Sequence, residues 1–208
     1  MKQVIKKVVY PETDLVILAG GQARRMNGIN KLLQKFDDQI QLIKIHQQLK
    51  FDVAHVWINS HRDDSIYQKM IPSIDCYQDD EAGFLGPLMG IKSAWSHVQA
   101  DYVLFVPCDV TYIPSKVLLK LHQALAKNSL AEVAYVEING KALYPFCLVK
   151  RNSLNILTTH LEQKQRSLRQ CFLDLHAQVA HFKNHALFFH SINSLDELQQ
   201  HQQLKFLH

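Results

Sequence analysis

The sequence predicts an α/β protein built as a three-layer α/β/α sandwich around a mostly parallel sheet. The first observation is a set of short, continuous apolar runs at residues 15–19, 53–58 and 102–106. Unbroken apolar character is typical of parallel strands that are covered on both faces. The second observation is a set of segments with helical spacing between and after these runs, at residues 40–49, 88–98 and 117–125. Such alternation is typical of a parallel sheet with helices on both faces.

The later part of the chain continues with a predicted hairpin, further helices and a last strand. The predicted elements are strands at residues 132–138, 142–149 and 178–182 and helices at residues 151–161 and 167–175. Asn139-Gly140 lies between the first two of these strands and is a strong signal for a two-residue turn. Ser194 is expected to cap a final helix, with Glu197 three residues further on as its capping-box partner.

Length and composition indicate one ordinary globular domain. The chain has 208 residues, of which 47% are hydrophobic and 20% are charged. A single domain usually contains about 100–200 residues. No segment approaches the ~18 uninterrupted apolar residues that a membrane span needs, and the first residues do not have the pattern of a secretory signal. We therefore expect a cytoplasmic protein without membrane contact.

Charge, cysteines and histidines exclude several other classes. A net charge of +4 is too small to indicate nucleic-acid binding, although it suits a site for anionic phosphates. The four cysteines form no CxxC pair, so free thiols are a simpler interpretation than a zinc site or a disulfide framework. His176, His181, His185 and His190 lie close together in sequence. Strand-like runs beside them argue against the helical spacing of a metal site, and exposed loop histidines are the better interpretation.

The most informative stretch is a glycine-rich loop, LAGGQARRMNGINK, that runs from Leu18 to Lys31 directly after the first predicted strand. Gly20 and Gly21 allow the backbone to approach a ligand closely, and their N–H groups can face phosphate oxygens. Arg25 and Lys31 supply cations that can neutralise a triphosphate. The spacing matches neither the dinucleotide-binding GxGxxG nor the P-loop GxxxxGK followed by Ser or Thr. On residue types alone, a solvated basic loop is an equal alternative to a phosphate site.

LAGGxxxRMxGxxK resembles the signature of the molybdenum cofactor guanylyltransferases, within the wider family of GT-A-like nucleotidyltransferases. The related cytidylyltransferases of this group typically carry LAAG instead of LAGG. The resemblance implies a Rossmann-like sheet of the nucleotide-diphospho-sugar transferase type, in a single nucleotidyltransferase domain over residues 1–208. It also implies a nucleotide-binding half at about 14–115, an acceptor-binding half at about 116–208, and an N-terminal extension at residues 1–13.

Two further segments extend this resemblance along the chain. DDEAGFLGPLMG resembles the family's D-x(6)-GPLAG and indicates Asp79 as a nucleotide contact, while Gly86-Pro87 opens a helix whose N-terminus favours anions. VPCDVTYIP resembles PCDxPxxP and has Asp109 just past an apolar strand, where a carboxylate can hold Mg²⁺. Taken alone, the first segment is better interpreted as an acidic loop before a helix, and the second as a turn or helix cap.

Weaker matches support the same alignment with the family. Asn59 in the segment WINS ends the second predicted strand, where the family has an asparagine near the ribose and base. FHSINSLDEL resembles the closing NxNTPEDL, with Asn193 on its second asparagine. The YP pair at Tyr144 and the segment RSLR at residues 166–169 resemble the family's His-Pro and RSL segments. The resemblance implies that these two segments lie on the side that holds the pterin substrate, and it covers about residues 14–200.

The resemblance implies transfer of GMP from GTP to Mo-molybdopterin, which gives the guanine dinucleotide form of the cofactor and pyrophosphate. The nucleotide-binding residues that it implies are Leu18, Ala19, Gly20, Gly21, Lys31, Asn59, Asp79 and Asp109. Lys31, Arg25 and Asp109 are the implied catalytic residues, and Asp109 is the implied ligand of Mg²⁺. GTP and Mo-molybdopterin are the expected substrates, and molybdoenzymes or their chaperones are candidate partners. A monomer is expected.

Three departures from the family pattern leave other functions open. Asn27 stands in place of a glycine, Thr111 in place of a proline, and DDQIQL from Asp37 onward in place of a GKPL turn. One alternative is a sister nucleotidyltransferase that uses CTP or another acceptor. A second alternative is a protein that binds nucleotide or molybdopterin without turnover. We expect tighter binding of GTP than of CTP, because the second glycine, Gly21, leaves room that a methyl group would fill.

Overall fold

A seven-stranded sheet runs through the chain in a computed structural model, which describes residues 10–21, 26, 28–83 and 85–205. Its strands are β1 (Thr13–Leu18), β2 (Val56–Asn59), β3 (Ile74–Tyr77), β4 (Tyr102–Pro107), β5 (Val133–Ile138), β6 (Lys141–Lys150) and β7 (Gln178–Phe182). Their order across the sheet is β3-β2-β1-β4-β6-β5-β7. Among these described strands only β6 runs antiparallel to its neighbours, so the prediction of a mostly parallel sheet is confirmed.

Helices cover both faces of this sheet. They are α1 (Gln41–Leu49), α2 (Asp64–Met70), α3 (Pro87–Ala94), α4 (Val117–Leu125), α5 (Leu154–Glu162), α6 (Leu168–Asp174) and α7 (Leu195–Lys205). Successive side chains of a strand point to opposite faces, and β1 therefore contributes to two cores. Leu15 and Ile17 pack with α1, α2 and α4, whereas Val16 and Leu18 pack with α3, α5 and α6. The predicted three-layer α/β/α sandwich is confirmed.

The structure differs from the predicted elements mainly where elements are short. The sequence pattern did not predict α2 or β3, because α2 has seven residues with one buried side chain and β3 is a four-residue strand at the edge of the sheet. The predicted helix at 151–161 is divided into a 3-10 turn, Arg151–Ser153, and α5. Helix α3 ends at Ala94, four residues before its predicted end. In the described part of the chain, no helix has the length and apolar character of a membrane span.

Two local predictions in the second half of the chain are confirmed. Asn139 and Gly140 form the turn between β5 and β6, with φ values of 53° and 80° that suit a tight hairpin. The Ser194 hydroxyl accepts from the N–H of Glu197 at 3.2 Å, and the Glu197 carboxylate accepts from the N–H of Asn193 at 2.6 Å. In the usual capping box this carboxylate accepts from the N–H of the cap residue, which here would be Ser194. Glu197 instead accepts from the N–H of the preceding residue, Asn193.

A third, smaller core joins the C-terminal helix to the glycine-rich loop. Its buried members come from the loop, the segment before α1, and the region of α7, and they are Met26, Phe36, Ile192 and Leu198. The Asp37 carboxylate accepts from Lys44 at 2.5 Å and lies 3.2 Å from the ring nitrogen of His201 on α7. The segment that departs from the family's GKPL turn therefore contacts the C-terminal helix.

All four cysteines are free thiols, as the sequence predicts.

At the amino ends of β1 and β4, His122 of α4 is buried between two tyrosine rings. Tyr10 stacks on its imidazole with 5.1 Å between centroids, and the Tyr102 ring lies at 5.0 Å. The hydroxyl of Thr13 is 3.0 Å from Nε2. Burial lowers the pKa of His122 from 6.5 to about 4, because these surroundings penalise the charged imidazolium.

We expect His122 to make stability depend on pH. Because its pKa is lower in the folded chain, its contribution is fully present above pH 6.5 and is lost as the pH falls toward about 4. His122→Gln removes this titration, so the free energy of unfolding should fall less over that interval than in the wild type. Urea unfolding at a series of pH values measures this. His185→Gln, at an exposed position, is the control and should follow the wild-type profile. Identical profiles for His122→Gln and the wild type would contradict the prediction.

Candidate active site

The carboxyl ends of four parallel strands lie side by side at one edge of the sheet. Leu18 is paired with both Asn59 and Pro107, and Asn59 is paired with Tyr77. The segments that follow β1, β2, β3 and β4 therefore begin next to one another. Ligands of open α/β sheets bind at this edge, and a cavity of about 580 Å³ opens there.

This cavity brings together most of the residues that the sequence predicts for a nucleotide site. Its lining includes Leu18, Ala19, Gly20, Gly21, Lys31, Asn59, Asp79 and Asp109. They come from all four strand ends and from the loop after β1. Arg25 and Asn27, which the sequence also singles out, lie outside the described residues.

Lys31 is held by a short 3-10 turn, Lys31–Leu33, whose cap residue sequence reasoning missed. The Asn30 side-chain oxygen accepts from the N–H of Leu32 at 3.0 Å. Its amide nitrogen lies 2.6 Å from the carboxylate of Asp63, the cap residue of α2, and 2.6 Å from the hydroxyl of Tyr67 on α2. Because Leu32 is fully buried, the turn is fixed on its other side as well. The lysine therefore projects from a rigid support.

Lys31 and Asp109 form an ion pair inside the cavity. Lys31 Nζ lies 3.3 Å from Asp109 Oδ2, and the two side chains are 14% and 22% exposed. The preceding residue, Cys108, is anchored because its N–H donates to the carbonyl of Leu18 at 3.0 Å. Burial raises the pKa of the Cys108 thiol to about 12, so it stays protonated and is a poor nucleophile. The charged groups at this strand end are therefore Asp109 and its lysine partner.

The carboxylates of the cavity fit a metal that shares its coordination with substrate phosphates. No group of three or more potential metal ligands occurs among the residues that the structure describes. Mg²⁺ usually takes one or two carboxylates and completes its coordination with phosphates and water. Asp109 offers one partly exposed carboxylate, whereas both oxygens of Asp79 already accept hydrogen bonds. The site therefore suits one metal ion that is coordinated by Asp109 and by the phosphates of a bound nucleotide. It does not resemble a site in which protein side chains supply all the metal ligands.

The histidines that are close together in sequence have separate local contacts. His181 lies on β7, with its ring nitrogen 2.7 Å from the Glu137 carboxylate. His190 has its ring nitrogen 3.0 Å from the carbonyl of Ile138. The expectation that this region is not helical is confirmed between His181 and His185.

Asn59 and Asp79 form the polar wall of the cavity, and a histidine that sequence reasoning missed contacts this wall. Asn59 Nδ2 donates to Asp79 Oδ1 at 2.9 Å, and His61 Nε2 lies 3.2 Å from Asp79 Oδ2. The Asp79 side chain is only 5% exposed. No motif predicts His61, although its position two residues after the end of β2 is a signal that could have been used.

The two glycines of the loop differ in the space around them. A Cβ at Gly20 would lie 2.9 Å from Asn59 Oδ1 and 3.3 Å from His61 Nε2, whereas at Gly21 no described atom lies within 4 Å. Among the described residues there is room beside Gly21, whereas Gly20 is closely packed against protein. A Cβ at Gly90 on α3 would lie 2.6 Å from Asn59 Oδ1. In an LAAG sequence the alanine occupies the position of Gly20, where it would displace Asn59.

The N-terminus of α3 faces the cavity. Gly86 is its cap residue, with φ of 87° that favours glycine, and Pro87 is its first residue. Both line the cavity, and no side chain caps the first turn, so its N–H groups can receive an anion. The helix is tied to β3 because the buried Tyr77 hydroxyl donates to the carbonyl of Gly90 at 2.8 Å.

The wall opposite the glycine loop comes from β6. Tyr144 and Pro145 line the cavity there. The Tyr144 ring packs against Tyr135 at 4.9 Å and Phe172 at 6.0 Å between centroids, and Arg169 borders the adjoining groove. The described cavity is not lined by Asn193 or by any residue of the segment 166–169, although the resemblance also singles these out.

Thr111, which replaces the family's proline, has a structural role of its own. Its hydroxyl donates to the carbonyl of Phe189, and its N–H donates to the carbonyl of His190 at 3.2 Å. Val110 and Ser191 form a bridge beside these bonds. A proline has no N–H and could not make the second bond. Thr111 therefore ties the loop after β4 to the C-terminal segment.

The combination of a glycine-lined cavity, a lysine–aspartate pair and a parallel sheet edge is that of a nucleotidyltransferase. A family model described as a MobA-like NTP transferase domain matches residues 15–180. A molybdenum cofactor guanylyltransferase from Acinetobacter baumannii is 68% identical over 196 residues, which cover 94% of each chain. Another from Pasteurella multocida is 38% identical over 185 residues, 88% of this chain and 96% of the relative. The chain therefore belongs to the MobA-like NTP transferases and, within them, to the molybdenum cofactor guanylyltransferase family.

Solved structures agree with this assignment at the level of the fold. A molybdopterin-guanine dinucleotide biosynthesis protein A from Archaeoglobus fulgidus superposes with a TM-score of 0.67 at 16% identity, covering 94% of this chain and all of that one. A CMP:2-keto-3-deoxy-manno-octonic acid synthetase complexed with CTP gives a TM-score of 0.68 at 14% identity, covering 94% and 99%. Because the fold also occurs in a protein that binds CTP, it does not by itself select the base.

We expect the two loop glycines to respond differently to a methyl group. Gly20→Ala forces Asn59 and His61 to move and should lower the free energy of unfolding by about 1–3 kcal/mol, the usual cost of overpacking. Gly21→Ala meets no atom of the described residues within 4 Å and should change this free energy by less than about 0.5 kcal/mol. Urea unfolding without nucleotide measures both variants. Equal effects would show that the packing around Gly20 relaxes without cost.

Proposed function

We propose that the chain transfers GMP from GTP to Mo-molybdopterin. The terminal phosphate of the acceptor attacks the α-phosphorus of GTP, a new P–O bond forms there, and the bond to pyrophosphate breaks. The products are the molybdopterin guanine dinucleotide cofactor and pyrophosphate. The observation that carries the proposal is the Lys31–Asp109 pair inside a cavity lined by the glycine loop, in a member of the guanylyltransferase family.

Positioning and neutralisation of charge supply most of the catalysis in this class of reaction. Lys31 donates to the phosphate oxygens and stabilises the charge that develops on the leaving pyrophosphate, and Arg25 supplies a second cation. The main chain of Ala19, Gly20 and Gly21 approaches the phosphates closely. Lys31 suits this role because a rigid turn directs its amine into the cavity. The amine donates to one oxygen of Asp109, which leaves further N–H groups for the phosphates.

Mg²⁺ is the metal that we propose, with Asp109 as its protein ligand. When bound it supplies positive charge beside the triphosphate. Lys31 keeps the Asp109 carboxylate oriented toward the cavity before substrate arrives. Asp79 and Asn59 contact the nucleoside, because together they offer a nearly buried acceptor and an amide next to the glycine loop.

The acceptor is expected on the β6 side of the cavity, next to Tyr144 and Pro145. This division follows the nucleotide-binding half at about 14–115 and the acceptor-binding half at about 116–208 of a single domain. We further propose a monomeric, cytoplasmic enzyme whose product passes to molybdoenzymes or their chaperones. The alternatives are a sister enzyme that uses CTP or another acceptor, and a binding protein without turnover.

A nucleotide titration tests the proposal. We expect GTP to bind at least about tenfold more tightly than CTP or ATP to the purified chain with Mg²⁺, and pyrophosphate to be released once Mo-molybdopterin is added. Isothermal titration calorimetry and a coupled pyrophosphate assay measure the two steps. Preference for CTP would favour the sister enzyme, and binding of GTP and acceptor without pyrophosphate release would favour the binding protein.

Substitution of the ion pair separates the roles of its two members. Asp109→Asn should lower pyrophosphate release to less than about a tenth while stability changes by less than about 1 kcal/mol, because the pair is partly exposed. Lys31→Ala should lower kcat more than it raises KM, because the cation acts chiefly on the transition state. Steady-state kinetics measure both. Lys92→Ala, which breaks the surface pair with Asp80 at 2.8 Å, is the control and should keep wild-type rates. A Lys31 variant with unchanged kcat and raised KM would contradict this role.

A further inference from the structure

His61 contacts the polar wall of the cavity although it does not take part in the proposed chemistry. Its Nε2 lies 3.2 Å from Asp79 Oδ2, and the same nitrogen would lie 3.3 Å from a Cβ at Gly20. The cavity lining, as far as the described residues form it, includes Asp79 and Asn59 and leaves His61 out. The imidazole therefore touches the residues of the site from outside the cavity.

The direction of the hydrogen bond between His61 and Asp79 follows from the chemistry of the two groups. A carboxylate can only accept, so His61 Nε2 is the donor. Asn59 Nδ2 donates to the other oxygen at 2.9 Å. Each oxygen of Asp79 is thus held by a different donor, which fixes the plane of the carboxylate. A rotation would leave a nearly buried acceptor or its donors unpaired, which is unfavourable.

The position of His61 is itself fixed by the turn after β2. The buried Ser60 hydroxyl donates to the carbonyl of Arg62 at 2.6 Å and lies 3.2 Å from the N–H of the same residue. The N–H of Ser60 donates to the carbonyl of Tyr77 at the end of β3. Because the turn is closed on both sides, the imidazole reaches Asp79 from a support that belongs to the sheet.

We propose that His61 is a positioning residue for nucleoside recognition, which orients the Asp79 carboxylate before the nucleotide binds. This inference rests on the proposed function, in which Asp79 contacts the nucleoside. A carboxylate that is already oriented loses no rotational freedom on binding, so the gain is in affinity. Bond making and breaking occur at the α-phosphorus, next to Lys31 and Asp109, and do not involve His61. Its loss should therefore weaken nucleotide binding and leave kcat nearly unchanged.

A double-mutant cycle tests whether His61 acts through Asp79. His61→Leu removes the donor and should raise the Kd for GTP about tenfold, while kcat at saturating GTP stays within about twofold. Asp79→Ala should raise the Kd at least as much. In the Asp79→Ala background, His61→Leu should change the Kd by less than about twofold, because the carboxylate that it orients is absent. Calorimetric titration provides the Kd values.

Two further variants separate positioning from general effects. His61→Gln carries an amide nitrogen that can take the place of Nε2, and it should bring the Kd to within about threefold of the wild type. His55→Leu is the matched control, since His55 pairs with Asp75 at 2.9 Å at the other end of β2. It should not change the Kd. Thermal unfolding of each variant checks the fold, and His61→Ala replaces His61→Leu if leucine lowers the melting temperature.

The outcomes distinguish this inference from the proposed function. If the wild type binds CTP and not GTP, the guanylyl part of the proposed function fails, and the cycle measured with CTP still tests His61. If the wild type binds no nucleotide, both fail. If Asp79→Ala weakens nucleotide binding but His61→Leu and His61→Ala do not, only the inference on His61 fails. Equal losses from His61→Leu in both backgrounds also overturn it, because His61 then acts on the nucleotide independently of Asp79.

Discussion

Main-chain hydrogen bonds between neighbouring strand ends determine the geometry of the site. The N–H of Ala19 donates to the carbonyl of Asn59 at 2.9 Å, and the N–H of Cys108 donates to the carbonyl of Leu18 at 3.0 Å. These bonds continue the parallel pairing of β1 with β2 and β4 by one residue beyond the strands. A slip of one residue in this register would send every side chain of a strand to the opposite face. The fully buried β1 prevents such a slip, because its two faces pack into two separate cores.

Close packing around one amide transmits this geometry to the polar side chains. Asn59 Oδ1 lies 2.9 Å and 2.6 Å from the positions that a Cβ at Gly20 or Gly90 would take, so the amide is confined between the glycine loop and α3. Its nitrogen is thereby directed to Asp79. A protein with 14% identity that was solved with CTP shares the fold, so the fold alone does not determine the base. The difference between LAGG and LAAG falls on Gly20, and the structure therefore connects that difference to Asn59 and His61.

How much the sequence could predict depended on whether a feature is local. β1, β4 and β7 were found because continuous apolar or β-branched runs identify buried strands, whereas the short edge strand β3 has too few buried residues for a pattern. Lys31 and Asp109 were found because each belongs to a motif that directly follows a strand. The contacts of Asn30 with α2 and of His61 with Asp79 were missed, because the partners lie 33 and 37 residues away for Asn30 and 18 for His61, and no local spacing reports such contacts. Their contacts follow from the pairing of the sheet, which a single sequence does not contain.

The two described departures from the family pattern, at Thr111 and in the segment from Asp37 onward, are linked to one another through the C-terminal segment. Thr111 bonds to the main chain at Phe189, and Asp37, in place of the usual turn, contacts both Lys44 and His201. Lys44 also donates to the carbonyl of Thr111 at 2.9 Å, so the two altered loops are joined directly. The third core adds Met26 of the glycine loop to the same region. The altered residues therefore support the loops after β1 and β4 from the side of α7, and they leave Lys31 and Asp109 paired.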